Sequence, residues 1–359
     1  MKKYFTYLLK KNLLPLACLT LFCIILYVIP IAVDDYSWWN AGNRIYIELY
    51  HGNISVALAI LSVFIPIAMF SYKMDKRSVD MHYSLPVNKT KILASHFLVG
   101  LILMYSAYTV AYVWGFATVA MKVQRIHLIY YLYLYLASLV PAFVTYSVTA
   151  FIYTRANTVV DGVISVAGAL CLMAMAVSTV NEMFYQFNWY PYRTDGSWFF
   201  SFTPLARATT VFGDAVKDGY IDRWNFTPES YYYESSVCLL VGGILWTLLG
   251  IGAAAGLILT EKHSKAERCG QISESLFCYK VQLPAYTAML ISTAIPAIGE
   301  ITIICAIVFA VFVLSIVYKR TIKIGWRFAI VLFACVVLGI LLATIPATIY
   351  DAMYPPIIE

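Results

Sequence analysis

Polar side chains inside long apolar runs are the residues of this sequence best suited to chemistry, because an ionisable group is costly within a bilayer and commonly marks a proton or ion pathway. Asp161 lies about one turn inside the run 157–180, and Asn157 lies one turn before it, so both can share a helix face. Glu300, in the stretch PAIGE, is the other such residue. A relay needs further groups at greater depth, so we expect Asp161 to lie hydrated or hydrogen-bonded at an interface.

The histidines and candidate nucleophiles show no catalytic or metal-binding spacing. No two histidines stand at metal-ligand spacing on one helix, the five being His51, His82, His96, His127 and His263. The sequence has no GxSxG, no HExxH and no pair of carboxylates on an apolar helix. It also lacks the phosphate loop GxxxxGK followed by Ser or Thr, so another subunit would have to bind ATP. We expect no catalytic residue, no metal and no cofactor on this chain.

The elements that would position these residues are membrane helices. Of the 359 residues, 62% are hydrophobic and 12% are charged, where soluble domains carry about 25% charged residues. A run of about 20 apolar residues can cross the ~30 Å hydrocarbon core, and such runs lie at 13–33, 54–72, 92–121, 127–152, 157–180, 236–260, 284–318 and 328–347. Membrane topology accounts for the net charge of +6, and no basic soluble region suggests nucleic acid as a partner.

The basic residues indicate the topology of the run 284–318. If the N-terminus is cytoplasmic and this run turns back at PAIGE, eighteen of the 25 Lys and Arg residues lie inside, whereas a single crossing leaves fourteen inside. The positive-inside rule favours the hairpin. Its first arm, 284–295, spans only ~18 Å as a helix, which favours a re-entrant pair. We therefore predict an all-α polytopic membrane protein, residues 1–359, with about seven to nine transmembrane helices and one short or re-entrant hairpin.

Three further regions complete the predicted organisation. Residues 181–235 form an aromatic-rich extracytoplasmic segment, with an amphipathic helix beginning near Pro204 that either anchors at the outer interface or lines a vestibule. Residues 261–283 form a cytoplasmic loop. In the sixth run, Gly252 and Gly256 form a GxxxG pair that allows close helix packing. This motif more often marks packing within a subunit than an interface between subunits.

The polar segment 73–92 separates the second and third apolar runs on the predicted cytoplasmic side. Its centre, VDMHYSLPVNKTK, can form a short amphipathic helix bounded by Pro86 and flanked by Lys76, Arg77, Lys89 and Lys91. The helix would present a compact knob with an apolar tip, in which Tyr83 and Leu85 are the expected anchors beside Met81. The alternative interpretation is a loop that turns the chain and satisfies the positive-inside rule.

This segment resembles the cytoplasmic loop of bacterial ABC transporter permeases of the exporter type. Those proteins carry a basic residue, a short helix, a HSLP-like sequence and another basic residue before their third crossing. Here Tyr83 stands between the His and the Ser. The stretch SKAERCGQ, residues 264–271, is similar to the SExAG stretch of the same family. The resemblance implies that a separate ATPase docks on this segment through Arg77, Asp80, Met81, His82, Tyr83, Ser84, Leu85 and Pro86.

The resemblance also implies the working assembly. It suggests a permease in the bacterial cell membrane that moves an amphipathic peptide, antibiotic or lipid-like substrate outward, with a second permease copy or relative, with membrane lipid around it, and with ATP and Mg bound to the partner ATPase. Two other classes remain open from the residues. A lipid-modifying enzyme would use Asp161 and Asn157 near an interface, and a secondary carrier would show interrupted helices in two corresponding halves.

Overall fold

The computed structural model describes residues 2–33, 51–122, 128–186, 229–261, 269–271, 280–298, 301–319 and 326–353. Within these ranges the chain forms α-helices and one 3-10 turn, Ser71–Met74, and no strand, which confirms the all-α prediction. The helices are α1 (Lys2–Lys11), α2 (Leu13–Val33), α3 (His51–Phe70), α4 (Lys76–Tyr83), α5 (Lys89–Lys122), α6 (Leu128–Tyr153), α7 (Val159–Gln186), α8 (Glu229–Glu261), α9 (Val281–Ile298), α10 (Ile301–Lys319) and α11 (Trp326–Met353).

Four stretches in the described residues are long and apolar enough to cross a membrane, in agreement with a membrane protein. They are Leu13–Pro30, Val56–Met74, Lys89–Met121 and Trp326–Thr344. Shorter apolar stretches lie in four other helices, at Ser138–Tyr153, Val159–Met173, Trp246–Glu261 and Ile304–Ser315. The total of seven to nine crossings stays a prediction.

The first of two compact units comprises Met1–Thr154 and Thr203–Cys269. In it α5 packs against α2, α3 and α1, and α6 packs against α3 and α8. Glycines allow two of these contacts to be close. A Cβ at Gly115 of α5 would lie 1.8 Å from the ring of Tyr27 on α2, and one at Gly100 would lie 2.2 Å from the hydroxyl of Tyr146 on α6. Such separations leave no room for a larger residue.

Hydroxyl groups join α5 to α6 inside the apolar part of this unit. Tyr108 Oη lies 2.6 Å from Ser138 Oγ, and Thr109 Oγ1 lies 2.7 Å from Tyr135 Oη. The rings of Tyr108 and Tyr135 stack with centroids 5.7 Å apart. Burying a polar group in an apolar medium is costly unless it is hydrogen-bonded, so these pairs make the aromatic packing between the two helices tolerable.

The second unit comprises Arg155–Phe202 and Gly270–Glu359, and α9 is its central described helix, packing against α11, α10 and α7. Gln282 Nε2 donates to the Ser165 carbonyl at 2.8 Å, and Tyr286 Oη donates to the Gly168 carbonyl, which joins α9 to α7. On the other side, a Cβ at Gly339 of α11 would lie 2.7 Å from the Ala288 carbonyl oxygen. The backbones of α9 and α11 therefore approach closely.

The seventh apolar run, 284–318, is divided between two helices, α9 and α10, which pack against each other. The expected short first arm, 284–295, is corrected by the structure, because α9 has 18 residues and runs from Val281 to Ile298. Pro284, the fourth residue of α9, lies close to the start of the helix. At 18 residues α9 is about 27 Å long, so its length alone no longer favours a re-entrant arm. Gly299 and Glu300 at the turn lie outside the described residues.

Candidate functional site

The segment 73–92 folds around α4, which starts and ends where its sequence indicates. Asp75 precedes the helix, and its carboxylate accepts hydrogen bonds from the Ser78 N–H at 3.2 Å and the Ser78 hydroxyl at 2.6 Å. These bonds lower the pKa of Asp75, as expected when donors stabilise the ionised form of an N-cap residue. The helix ends at Tyr83, and Pro86 prevents it from continuing. α4 thus stands as a separate capped helix between α3 and α5.

The two faces of α4 differ in exposure. Val79 and His82 are buried, with His82 4% exposed. The side chains of Met81 and Leu85 are 56% and 37% exposed. The polar or turn residues of the set are exposed as well, namely Arg77, Asp80, Ser84 and Pro86. The structure therefore separates the predicted docking residues into two groups. Six of the eight side chains are exposed, Tyr83 is half-buried and His82 is buried, so His82 is not available to a partner. Met81 and Leu85 are the two exposed apolar residues of the set.

His82 belongs to a buried cluster that the sequence analysis did not anticipate, formed with Tyr4 of α1, Tyr72 of the 3-10 turn and His96 of α5. Tyr4 Oη lies 3.2 Å from His82 Nδ1 and 2.9 Å from His96 Nε2. The Tyr72 ring stacks on His96 at a centroid separation of 4.3 Å and meets His82 edge-on at 4.7 Å. A hydroxyl has one proton, so Tyr4 donates to one imidazole and accepts from the other. The cluster thus fixes α4 to α1 and α5.

Burial governs the protonation of this cluster where it lies outside the apolar spans. Desolvation lowers the pKa of His82, and the positive charge of Lys11 lowers it further. Desolvation also raises the pKa of Tyr4 to about 12. Both shifts favour the neutral forms, because a buried site disfavours charge. A neutral Tyr4 hydroxyl and a neutral His82 ring are compatible with the observed hydrogen bonds.

A second cluster lies around Glu261, the last residue of α8, whose side chain is 1% exposed. Lys73 Nζ forms an ion pair with Glu261 Oε2, and Tyr83 Oη donates to Glu261 Oε1 at 3.1 Å. The Lys89 ammonium lies 4.4 Å from the centroid of the Tyr83 ring. Tyr83, one of the two expected docking anchors, is therefore half-buried and engaged within the protein. Glu261 was assigned only to a loop by the sequence, although its acidic side chain at the end of an apolar run was a usable signal.

The residues considered for enzyme chemistry lie in the second unit. Asp161 is half-buried in the first turn of α7, where its backbone N–H donates to Thr158 Oγ1 at 3.2 Å. A carboxylate is stabilised at a helix N-terminus by the helix dipole, which gives Asp161 a structural role. The backbone N–H of Gly270, at a φ of 81°, donates to the Asn157 carbonyl at 2.9 Å. In the described residues, no three His, Cys, Asp or Glu side chains are grouped as a metal site.

The two glycines predicted to pack together have different surroundings. A Cβ at Gly256 would lie 3.1 Å from the Phe151 ring of α6, so this glycine faces a helix contact. A Cβ at Gly252 would meet no atom within 4 Å. Gly250, which the sequence analysis did not single out, lies against α6, since its Cβ would be 3.0 Å from Val144. The contact between α8 and α6 thus uses Gly250 and Gly256.

Several predicted regions fall outside the described residues. These are 187–228 of the aromatic-rich segment, including Pro204, and most of the cytoplasmic loop 261–283. Of the SKAERCGQ stretch, only Cys269, Gly270 and Gln271 are described. Comparison with protein-family models, with curated proteins and with solved structures gives no match for this chain.

Proposed function

We propose that this chain is the membrane-spanning permease subunit of an exporter-type ABC transporter. It works with a separate ATPase that binds ATP and Mg, and with a second permease of the same or a related sequence. It moves an amphipathic peptide, antibiotic or lipid-like substrate outward across a bacterial cell membrane, with its N-terminus in the cytoplasm. The chain itself carries no ATPase or other enzyme activity.

The observation that supports this proposal is the construction of α4. A capped eight-residue helix stands between two stretches long enough to cross a membrane, Val56–Met74 and Lys89–Met121. It exposes Met81 and Leu85 and buries its opposite face. A loop that only reverses the chain needs neither a capped helix nor an exposed apolar pair. A docking knob uses both, because a binding interface needs a central aromatic or aliphatic anchor held on a rigid element.

The attachment of α4 to its surroundings supports the same function. Its buried face contacts α1 and α5 through His82, and Tyr83 contacts α8 through Glu261. A force applied at Met81 and Leu85 would therefore reach several helices instead of bending a loose loop. Rigid-body transmission of this kind is what nucleotide-driven closure of a partner requires.

Photo-cross-linking tests the docking surface. A photoreactive amino acid is placed at Met81 or Leu85, with Val113, an exposed apolar residue in the middle of α5, as the control. In membranes of the source cells we expect positions 81 and 85, and not 113, to capture one chain that contains a phosphate loop. Wild-type protein purified from these membranes should show Mg-dependent ATP hydrolysis by a co-purified partner chain.

A charge at the anchor should remove this activity. We expect Leu85→Asp to lower the co-purified ATP hydrolysis by at least tenfold, because truncating a central interface anchor often costs about 2 kcal/mol or more. Lys91→Gln removes an exposed charge that lies beyond α4. It should leave the co-purified ATP hydrolysis within about twofold of the wild type, because surface charges contribute ~0–1 kcal/mol. Capture of no ATP-binding chain, together with purified protein that lacks ATP hydrolysis, would refute the proposal in favour of a carrier or an enzyme.

A further inference from the structure

We propose that Glu261 is a positioning residue that joins α4 to α8, so that a displacement of α4 moves the C-terminal end of α8. The source of that displacement, a docked ATPase, rests on the function proposed above. The link between the two helices does not, because it is a property of this chain alone.

The inference rests on the two contacts of the Glu261 carboxylate. Each of its two oxygens has its own partner, Lys73 on Oε2 and Tyr83 on Oε1. Lys73 precedes α4 and Tyr83 is the last residue of α4, so the two partners stand at opposite ends of the helix. A rotation or shift of α4 relative to α8 therefore breaks at least one of the two contacts.

Burial makes such a break unfavourable. The Glu261 side chain is almost completely removed from solvent and Lys73 is largely buried. A buried charge that loses its partner is strongly destabilised, because water cannot replace the lost interaction. The carboxylate also lies at the C-terminus of α8, where the helix dipole disfavours a negative charge, so it depends on Lys73 more than a carboxylate at an N-terminus would. Joint movement of α4 and α8 keeps both contacts.

A movement of α8 would be passed on to α6. α8 packs against α6, with Gly250 facing Val144 and Gly256 facing Phe151 at separations that leave little free space. Closely packed helices shift together or change register, and they do not deform gradually. Glu261 thereby connects the exposed surface of α4 to the packed pair α8 and α6 of the first unit.

Pulsed electron resonance on spin-labelled protein tests the link. In a chain whose native cysteines have been replaced, labels are placed at Arg77 on α4 and Leu259 on α8, both exposed. In lipid nanodiscs without any partner, we expect a single narrow distance distribution. Glu261→Gln should broaden it at least twofold. Asp161→Asn, a carboxylate loss in the second unit, is the matched control and should leave the width unchanged.

Two further variants separate the link from a general loss of folding. Tyr83→Phe removes one hydroxyl and should broaden the distribution less than Glu261→Gln. Lys73→Glu should broaden it, and the exchange Lys73→Glu with Glu261→Lys should restore much of the wild-type width, because it reverses the ion pair without deleting it. A carboxylate whose effect did not depend on its pairing with Lys73 would not be rescued by this exchange. Equal widths in the wild type and Glu261→Gln would overturn the inference.

A second label pair, Leu13 on α2 and Leu259, measures movement in the complex co-purified with the ATPase. A non-hydrolysable ATP analogue should shift this distance in the wild type, and Glu261→Gln should abolish the shift while the ATPase stays bound. If the wild-type protein binds no ATPase, the proposed function fails, but a narrow 77–259 distribution that Glu261→Gln broadens still supports the link. If the shift persists undiminished in Glu261→Gln, the link is wrong and the proposed function stands.

Discussion

The contact between Gly100 of α5 and Tyr146 of α6 allows a quantitative test of helix packing in this protein. Tyr146 is completely buried, and its hydroxyl donates to the Phe97 carbonyl at 3.0 Å. A Cβ added at Gly100 would lie 2.2 Å from that hydroxyl oxygen and 3.1 Å from Met69 Cγ. Gly100→Ala therefore forces the hydroxyl away from the carbonyl that it donates to.

The expected cost follows from these distances. To reach an ordinary contact of 3.4 Å, the oxygen must move by about 1.2 Å, which breaks the hydrogen bond. We expect the lost bond to cost ~1 kcal/mol and the overpacking ~1–3 kcal/mol, offset by ~0.5–1 kcal/mol because Ala favours a helix over Gly. Gly100→Ala should thus destabilise by roughly 2 kcal/mol. Tyr146→Phe, which removes only the hydroxyl, should cost about 1 kcal/mol.

The double variant Gly100→Ala with Tyr146→Phe tests whether the clash with the Tyr146 hydroxyl causes the destabilisation. Without the hydroxyl, the nearest atoms to the new methyl group would be Met69 Cγ at 3.1 Å and the ring atom Cζ at 3.3 Å, so Gly100→Ala should cost less in the Tyr146→Phe background. We expect the double variant to be more stable than the sum of the single effects by about 1–2 kcal/mol. The assay is detergent-induced unfolding in mixed micelles followed by tryptophan fluorescence. Gly252→Ala, with no atom within 4 Å, is the control and should not destabilise. Additivity within ~0.5 kcal/mol would refute the reasoning.

Two other predictions concern pH and topology. Burial lowers the pKa of His82 in the folded state, so its stabilising contribution should be complete above about pH 6.5 and should decline as the pH falls below that value. In thermal unfolding between about pH 5 and 7.5, His82→Phe should flatten this pH dependence of stability. A membrane-impermeant thiol reagent added from outside should label a cysteine placed at position 353 and not one at 322, and the opposite pattern would contradict the hairpin at 299–300.

Helix positions were the most predictable part of the fold. Apolar runs indicate helices in a membrane because the backbone must satisfy its own hydrogen bonds there. α4 was located by Pro86 and by the basic residues on either side of it, which are local signals. Its N-cap residue Asp75 is a further local signal, which the sequence analysis did not use. Local signals were less accurate at helix ends. The start of α9 was placed at Pro284, the first residue of the apolar run, although the helix begins at Val281.

Contacts between distant residues were not predictable. Tyr4 and His82 are 78 residues apart, and Lys73 and Glu261 are 188 residues apart, so no spacing rule connects them. The assignment of His82 to a docking surface followed from its neighbours in the chain, but its ring lies on the buried face of α4. One inference was within reach. Lys73 and Glu261 close two apolar runs on the same predicted side of the membrane, and opposite charges in that position are candidates for a pair.

The backbone approach between α9 and α11 has a consequence for how the protein is made. Ala288 is synthesised well before Gly339, so a growing chain inserts α9 before the helix that covers it exists. Until then the Ala288 face of α9 has only lipid, the insertion machinery or another protein to rest on. Addition of α11 is therefore the step that covers this face of α9. A chain that stops after α10 leaves α9 without this partner and is a natural substrate for membrane quality control.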